Sequence, residues 1–498
     1  MSMLQPGHLV MVDIEGKALS AETAAFLREH HIRAVCLFRK NLGTESEVRR
    51  LVSDLREVLG PQALIGIDQE GGSVARATFL PQAPAAMALG AIEDTAQAEA
   101  AAESTGAAVA RGLRGLGINW NFAPVLDVNN NPANPVIAER SFGADPHRVA
   151  RLAGAWMRGS LAEGVACCVK HFPGHGDTHV DSHHALPTVD KSLAELEALE
   201  LIPFRALKDE APALMTAHIV YPQLDAEHPA TLSRRVLTGL LRDTIGYRGV
   251  VISDALMMKA IFDRYGHARG AVLTLAAGAD MALAQGTLAD QRAAIEAVGE
   301  ALRDGRLDPA AMQASRLRLD TLARRYPAGA APYADARRTD DDTLMRAIWA
   351  RGLSAFGGAT APGLATPLRV VTQDRVDTDG VSEAGLAADD VAALFAEHAD
   401  VELLRVPDLP NFDPATLPRD GRKTILASNH RKRYGESMVG WRPDLHLALW
   451  NPFQIADIAA PAVVTWGYAD GALAALRDWL AGRASANGVA PVALAPHA

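Results

Sequence analysis

Between residues 8 and 284 the chain alternates short, almost uninterrupted apolar runs with longer stretches rich in Ala, Leu and charged residues. The runs are HLVMVDI (8–14), IRAVCLF (32–38), ALIGID (63–68), INWNFAP (118–124), VACCVKHF (165–172), ALMTAHIV (213–220), GVVISDA (249–255) and ADMALA (279–284). A strand covered on both faces has no solvent side, so its sequence is continuously apolar rather than alternating. Helical stretches between such strands act as crossovers and make the sheet parallel. Eight repeats of this unit predict an α/β fold, a (β/α)8 TIM-like barrel, although periodicity alone leaves a doubly wound sheet open.

Polar side chains gather at the carboxyl ends of five runs: Asp68, then Asn121 and Asp127, then Lys170 and His171, then His218, then Asp254. That is the end at which a barrel carries its chemistry. Further on, YPAGAAPYADARRT (326–339) is rich in Pro, Gly and Ala and reads as a linker. A helix over 339–354 follows, then new apolar runs, LRVVTQ (368–373), VELLRV (401–406), KTILAS (423–428), LHLALW (445–450) and PAVVTWG (461–467), closing on the amphipathic GALAALRDWLAG (471–482). The predicted organisation is a barrel over 1–325, a linker and connecting helix over 326–360, and a smaller, sandwich-like α/β domain over 361–498.

Composition narrows the function classes. With 49% apolar and 22% charged residues the chain is an ordinary globular protein. A net charge of −10 argues against nucleic acid or an anionic membrane surface as partner, since both demand clustered Lys and Arg. A neutral small molecule is the partner this balance suits. The three cysteines, Cys36, Cys167 and Cys168, include an adjacent pair that a strand would point to opposite faces, so no disulfide framework is expected. Together with an N-terminus lacking a basic segment followed by an apolar core, and with no membrane-spanning run, this predicts a cytoplasmic protein. The pattern leaves monomer and homodimer open.

The most informative stretch is KHFPGHGDTHVDSHHALPTVD (170–190), with His171, His175, His179, His183, His184, Asp177 and Asp181. Histidines four apart imitate one face of a metal-binding helix, but Pro173, Gly174 and Gly176 break any helix there. No metal or other cofactor is therefore expected. A catalytic loop is the competing reading. Asp181 and His183 lie two apart, so an extended backbone turns both to one side. A carboxylate on one imidazole nitrogen fixes the tautomer and equips the other nitrogen to give or take a proton near neutral pH.

KHFPGHGDTHVDSH closely resembles the signature of the β-N-acetylhexosaminidases of glycoside hydrolase family 3, which use an Asp-His dyad on a loop where most glycosidases use a second carboxylic acid. The resemblance continues through IDQEGGSVAR (67–76), NFAPVLDV (121–128), ERSFGADP (139–146), MTAHIVYPQLD (215–225), PATLS (229–233) and VVISDALMM (250–258), spanning the first domain. It implies Asp254 as nucleophile, His183 as acid/base and Asp181 as its orienting partner. It further implies sugar contacts from Asp68, Arg76, Arg140, Lys170 and His171. Retaining hydrolysis needs such a set, a carboxylate below the anomeric carbon and a second group that protonates the leaving oxygen. The implied function is an exo-acting β-N-acetylglucosaminidase for small glycosides or muropeptides. A phosphorylase using the same residues, a non-catalytic sugar-binding protein and a metal-dependent hydrolase are the alternatives.

Other features read more plainly. Gly71 and Gly72 sit in a turn without the spacing of a nucleotide loop. Met257 and Met258 read as core packing at a helix start, with the pocket wall as the second reading, Asp127 and Asp280 as structural hydrogen-bonding groups, and HRKRY (430–434) as a solvated loop. NPFQIADI (451–458) and the stretch 461–482 resemble, more loosely, the second domain of many family members, and no chemistry is expected there.

Overall fold

The computed structural model describes residues 4–181, 185–378, 380–438 and 440–494. All eight apolar runs contain strands: β1 Val10–Asp13, β2 Ala34–Leu37, β3 Leu64–Ile67, β4 Trp120–Asn121, β5 Ala166–Phe172, β6 Ala213–Thr216, β7 Val250–Ile252 and β8 Ala282–Leu283. They form one parallel sheet in the order β8-β1-β2-β3-β4-β5-β6-β7. The seam between β7 and β8 is bridged by Ile252 and Met281, and by Leu256 N donating to Leu283 O at 3.0 Å. The ring is thus a (β/α)8 barrel, and the doubly wound alternative falls.

Continuous hydrophobicity has its cause in two separate cores. Met11, Cys36, Trp120, Cys168, Met215, Ile252 and Leu283 fill the barrel interior. Val10, Val12, Val35, Ile65, Cys167 and Val251 face the helical shell. Cys167 and Cys168 therefore do point to opposite faces, and all three cysteines are buried and free. The helix Pro309–Arg325 plugs the amino end of the ring with Leu319, Leu322 and Ala323. The shell helices follow local rules. Glu45–Leu59 starts in a Thr44/Glu47 capping box, buries Val48, Leu51, Val52, Leu55 and Leu59 along one stripe, and stops at Gly60.

The second sheet contains β9 Ser354–Phe356, β10 Leu368–Gln373, β11 Val401–Val406, β12 Lys423–Ser428, β13 Leu445–Ala448 and β14 Ala462–Val464. Their order is β9-β14-β13-β12-β10-β11, parallel except for the antiparallel edge strand β9. The sequence pattern foresees five of these strands and misses β9. The helix expected over 339–354 spans Asp335–Gly352 instead, so Ser354 is free to start a three-residue strand.

The chain order reverses at β10, which opens a crevice between the carboxyl ends of β10 and β12. Asn429 fills it, donating through Nδ2 to Gln373 O at 2.8 Å and Leu386 O at 2.7 Å. Loops from this end of the sheet dock on barrel loops that follow β3 and β4. Trp450 Nε1 donates to Glu139 Oε1 at 2.9 Å, and Ser73 Oγ donates to the same oxygen at 2.5 Å. Arg431 donates to Val136 O at 2.8 Å, and Arg433 to Pro132 O at 3.1 Å. HRKRY is thus no solvated loop. Its arginines bridge the two domains, and His430 is buried among Gln454 and Tyr434.

Beneath that dock the second sheet holds a neutral polar knot. His446 Nε2 is 2.6 Å from Ser428 Oγ, which also bonds the Tyr434 hydroxyl. Burial holds both imidazoles below their ordinary value of 6.5, His446 at about 3 and His430 at about 4. Below 6.5 the unfolded chain takes up protons that the folded chain refuses, so stability is full above that pH and falls as pH drops toward 3. Urea unfolding should show a midpoint that declines between about pH 7 and about pH 5, with a shallower decline in His446→Asn. Equal slopes in the two proteins would show that His446 does not contribute.

Candidate active site

A cavity of about 530 Å³ opens at the carboxyl end of the barrel. Asp68, Arg76, Arg140, Lys170, His171 and Asp254, six of the residues singled out in the sequence, line it together. Three neighbouring strands deliver most of them. Asp68 directly follows β3, and a two-stranded ribbon, Gln69–Gly71 with Val74–Ala75, carries Glu70 and leads into Arg76. Gly71 turns that ribbon at φ 118°, where a Cβ would lie 2.4 Å from Pro84 O. Arg140 ends the short turn Ala138–Arg140 in the connection after β4. Lys170 and His171 sit on β5, the longest of the barrel strands.

These groups form one buried ionic network. Lys170 Nζ lies 2.7 Å from Asp68 Oδ1 and 2.6 Å from Glu70 Oε1, with its side chain only 2% exposed. Arg140 grips Glu70 with both sides of its fork, Nε to Oε2 at 2.9 Å and Nη2 to Oε1 at 2.8 Å. Burial alone would raise the Glu70 carboxyl. The Arg140 and Lys170 charges outweigh burial and hold it well below the usual carboxylate range. Burial likewise disfavours the Lys170 ammonium, but Asp68 and Glu70 keep it charged.

Asp127 is buried and accepts from His171 N at 3.1 Å and His175 N at 2.7 Å, with His171 Nδ1 at 2.7 Å from its other oxygen. Burial acts against the Asp127 carboxylate, yet the His171 charge and hydrogen bond hold it lowered. A carboxylate only accepts, so Nδ1 of His171 carries a proton and Nε2 is the nitrogen left for the cavity. His175 is driven the other way, by burial and then by the neighbouring His171 charge, to about 4. Its Nδ1 bonds Thr178 Oγ1 at 3.0 Å, and Asn134 ties down the carbonyls of His175 and Gly176. The first part of the histidine-rich segment is therefore a pinned turn and not a helix. Among the described residues no group of three or more His, Cys, Asp or Glu is placed to hold a metal ion.

Asp254 follows β7 half-buried, and its Oδ1 accepts from Ala255 N at 2.7 Å. The next helix, Lys259–Tyr265, starts after Met258, so Asp254 is not its cap. Asp181 is half-buried on the loop after β5. His183, the expected proton donor, lies outside the described residues.

Several lining residues were not foreseen. Glu70 lies two residues from Asp68, and that parity was the signal available. Met257 and Met258, for which the pocket wall is the second reading, do line the cavity, and Met257 is exposed. Gly380 and Val381 line it from the second domain. Glu383, close by, accepts from Arg76 Nη1 at 2.9 Å. Asp127 and Asp280 are structural, as read. Asp280 accepts from Arg242 Nη2 at 2.7 Å and from Val251 N at 2.8 Å.

A closed parallel barrel with carboxylates, arginines and a lysine converging at its carboxyl end has the make-up of a barrel glycoside hydrolase. Residues 4–322 match the Glycosyl hydrolase family 3 N terminal domain, and the chain belongs to glycosyl hydrolase family 3. It is 38% identical over 304 residues to a beta-hexosaminidase of Pseudomonas aeruginosa (strain LESB58), a match covering 60% of this chain and 88% of that protein. A beta-hexosaminidase of Chromobacterium violaceum is 40% identical over 284 residues, 56% of this chain and 78% of that one. Among solved structures, a glycoside hydrolase family 3 beta-N-acetylglucosaminidase from Paenibacillus sp. str. FPU-7 superposes with a TM-score of 0.85 at 32% identity over 99% of both chains. Native NagZ from Neisseria gonorrhoeae gives 0.59 at 33% identity, covering 70% of this chain and 99% of that one.

Removing Glu70 would leave Arg140 without its carboxylate and Lys170 with only Asp68. Glu70→Ala should lower folding stability by about 3 kcal/mol, the scale for breaking a buried ion pair from one side. Chemical denaturation checks this, and a loss below about 1 kcal/mol would mean that the cations find other partners.

Proposed function

We propose that the chain is a retaining exo-β-N-acetylglucosaminidase that acts by double displacement through a glycosyl-aspartate. The observation that carries this reading is the shared cavity, in which Asp254 stands among Asp68, Arg76, Arg140, Lys170 and His171. The beta-hexosaminidase names of the relatives support the substrate class. In the first step the Asp254 carboxylate attacks the anomeric carbon while His183, oriented by Asp181, protonates the departing oxygen. In the second step the same imidazole, now neutral, takes a proton from water as water displaces Asp254. Both steps balance without a metal or cofactor.

The buried charges hold the sugar. Each hydroxyl that meets an ionised carboxylate, guanidinium or ammonium makes a charge-assisted bond, and a sugar lacking that hydroxyl leaves a buried charge unpaired. Asp68 and Lys170 offer an acceptor beside a donor, which suits hydroxyls, while His171, Arg140 and Arg76 suit hydroxyl or acetamido oxygens. We assign the substrate to peptidoglycan fragments in the cytoplasm. The buried free cysteines suit a reducing compartment, and among the described residues no helix is long and apolar enough to cross a membrane.

A 5-fluoro N-acetylglucosaminyl fluoride, which keeps the acetamido group at carbon two, should trap a covalent adduct that peptide mapping finds on Asp254, and Asp254→Ala should lose turnover. His183→Ala should slow hydrolysis by about 10² to 10⁴ for poor leaving groups, and less for activated aryl glycosides that need no proton. Product analysis with and without phosphate identifies the acceptor, and release of a sugar 1-phosphate would replace hydrolysis by phosphorolysis. Sugar binding with no turnover dependent on Asp254 would make the chain a binding protein.

A further inference from the structure

The loop that leaves the carboxyl end of β10 does not stay within its own domain. Residues 380–383 cross to the barrel mouth, where Val381 packs with Val74, Val136 and Ile137. These residues are pinned from both sides. Glu383 N donates to Ser73 O at 2.9 Å, the Tyr468 hydroxyl donates to Glu383 O at 3.0 Å, and Arg431 Nη1 donates to Ser382 Oγ at 3.1 Å. From this fixed backbone the Glu383 side chain reaches Arg76, whose own side chain is 10% exposed. Arg39 Nε lies 3.9 Å from the other carboxylate oxygen. Among the described residues the Arg76 Nε has no hydrogen-bond partner, so Glu383 at Nη1 is the contact that sets the plane of the guanidinium.

We infer that Glu383 is a positioning residue for Arg76, so that the second domain sets the sugar-binding geometry of a pocket built mainly by the barrel. The inference rests on the reading of Arg76 as a sugar contact. An arginine side chain has several rotatable bonds, and one held at a single guanidinium nitrogen presents its remaining N–H groups in a fixed plane. Freed of Glu383, Arg76 spends most of its time in other orientations, and binding weakens while the reacting groups at Asp254 stay where they are.

The test compares Glu383→Ala, Glu383→Gln, Arg76→Ala and the Arg76→Ala/Glu383→Ala double variant in the full chain, by kinetics on an aryl N-acetylglucosaminide and by thermal unfolding. Glu383→Ala should raise KM about tenfold, the scale of one charge-assisted hydrogen bond, with kcat within about threefold of the parent. Glu383→Gln keeps an acceptor oxygen and should recover most of the loss without depending on the charge. In the Arg76→Ala background the Glu383→Ala change should add nothing further to KM, because the group it acts through is gone. A raised KM in Arg76→Ala with an unchanged KM in Glu383→Ala would overturn the inference and leave the reading of Arg76 standing. An unchanged KM in Arg76→Ala would overturn both. A Glu383→Ala variant that loses kcat at constant KM, or whose effect persists in the double variant, would place Glu383 in another role and also overturn the inference.

Discussion

A fully buried lysine organises this molecule. An ammonium taken out of water costs several kcal/mol unless charges of the other sign meet it at short range. Lys170 meets two, Asp68 and Glu70, and Glu70 in turn is shared with Arg140. The partners come from three consecutive strands of the barrel and the connections that follow them, so the network exists only when β3, β4 and β5 are in register. The ring brings these segments side by side, and the ion cluster fixes their side chains at the floor of the cavity. A pocket made this way is rigid before any sugar arrives, which is what directional recognition of hydroxyl groups demands.

The second domain continues the same logic from the other side. Parallel sheets offer ligand chemistry at the carboxyl ends of their strands. Here both sheets turn those ends toward each other. Glu139 sits where they meet, buried and satisfied by Ser73 from the barrel and Trp450 from the second sheet. Around it Ala85, Met87 and Ala138 of the barrel pack with Phe453, Val464 and Trp466. The interface therefore combines an apolar core with a charge that neither domain satisfies alone.

How much of this could be read from residues alone depended on the range of the interaction. The barrel strands were legible because burial on both faces leaves a local mark, a continuous apolar run. Asp68, Lys170, His171 and Asp254 were legible because they end such runs. β9 left no mark, being three residues long and separated from a helix by Leu353 alone. Glu70 was overlooked although its two-residue offset from Asp68 put it on the same face. Glu383 carries no local signal at all, since its partner Arg76 lies 307 residues earlier. HRKRY was misread for a related reason. A run of basic residues looks solvated until the buried carboxylate and carbonyls that receive it are brought from another domain. The histidine spacing could be set aside from residues alone, because Pro173 and the glycines that keep the backbone from using that regularity lie within the same segment.

The shared burial of Glu139 has a practical corollary for anyone dissecting the molecule. Cutting the chain after the barrel would strip that carboxylate of Trp450 and Arg431 and bare the apolar patch around Ala85, Met87 and Ala138 to water. Such a fragment would invite self-association, and its behaviour would report on an unfinished surface more than on the catalytic barrel. Polar substitutions at the bared alanines and methionine would repair that surface for work on the barrel by itself.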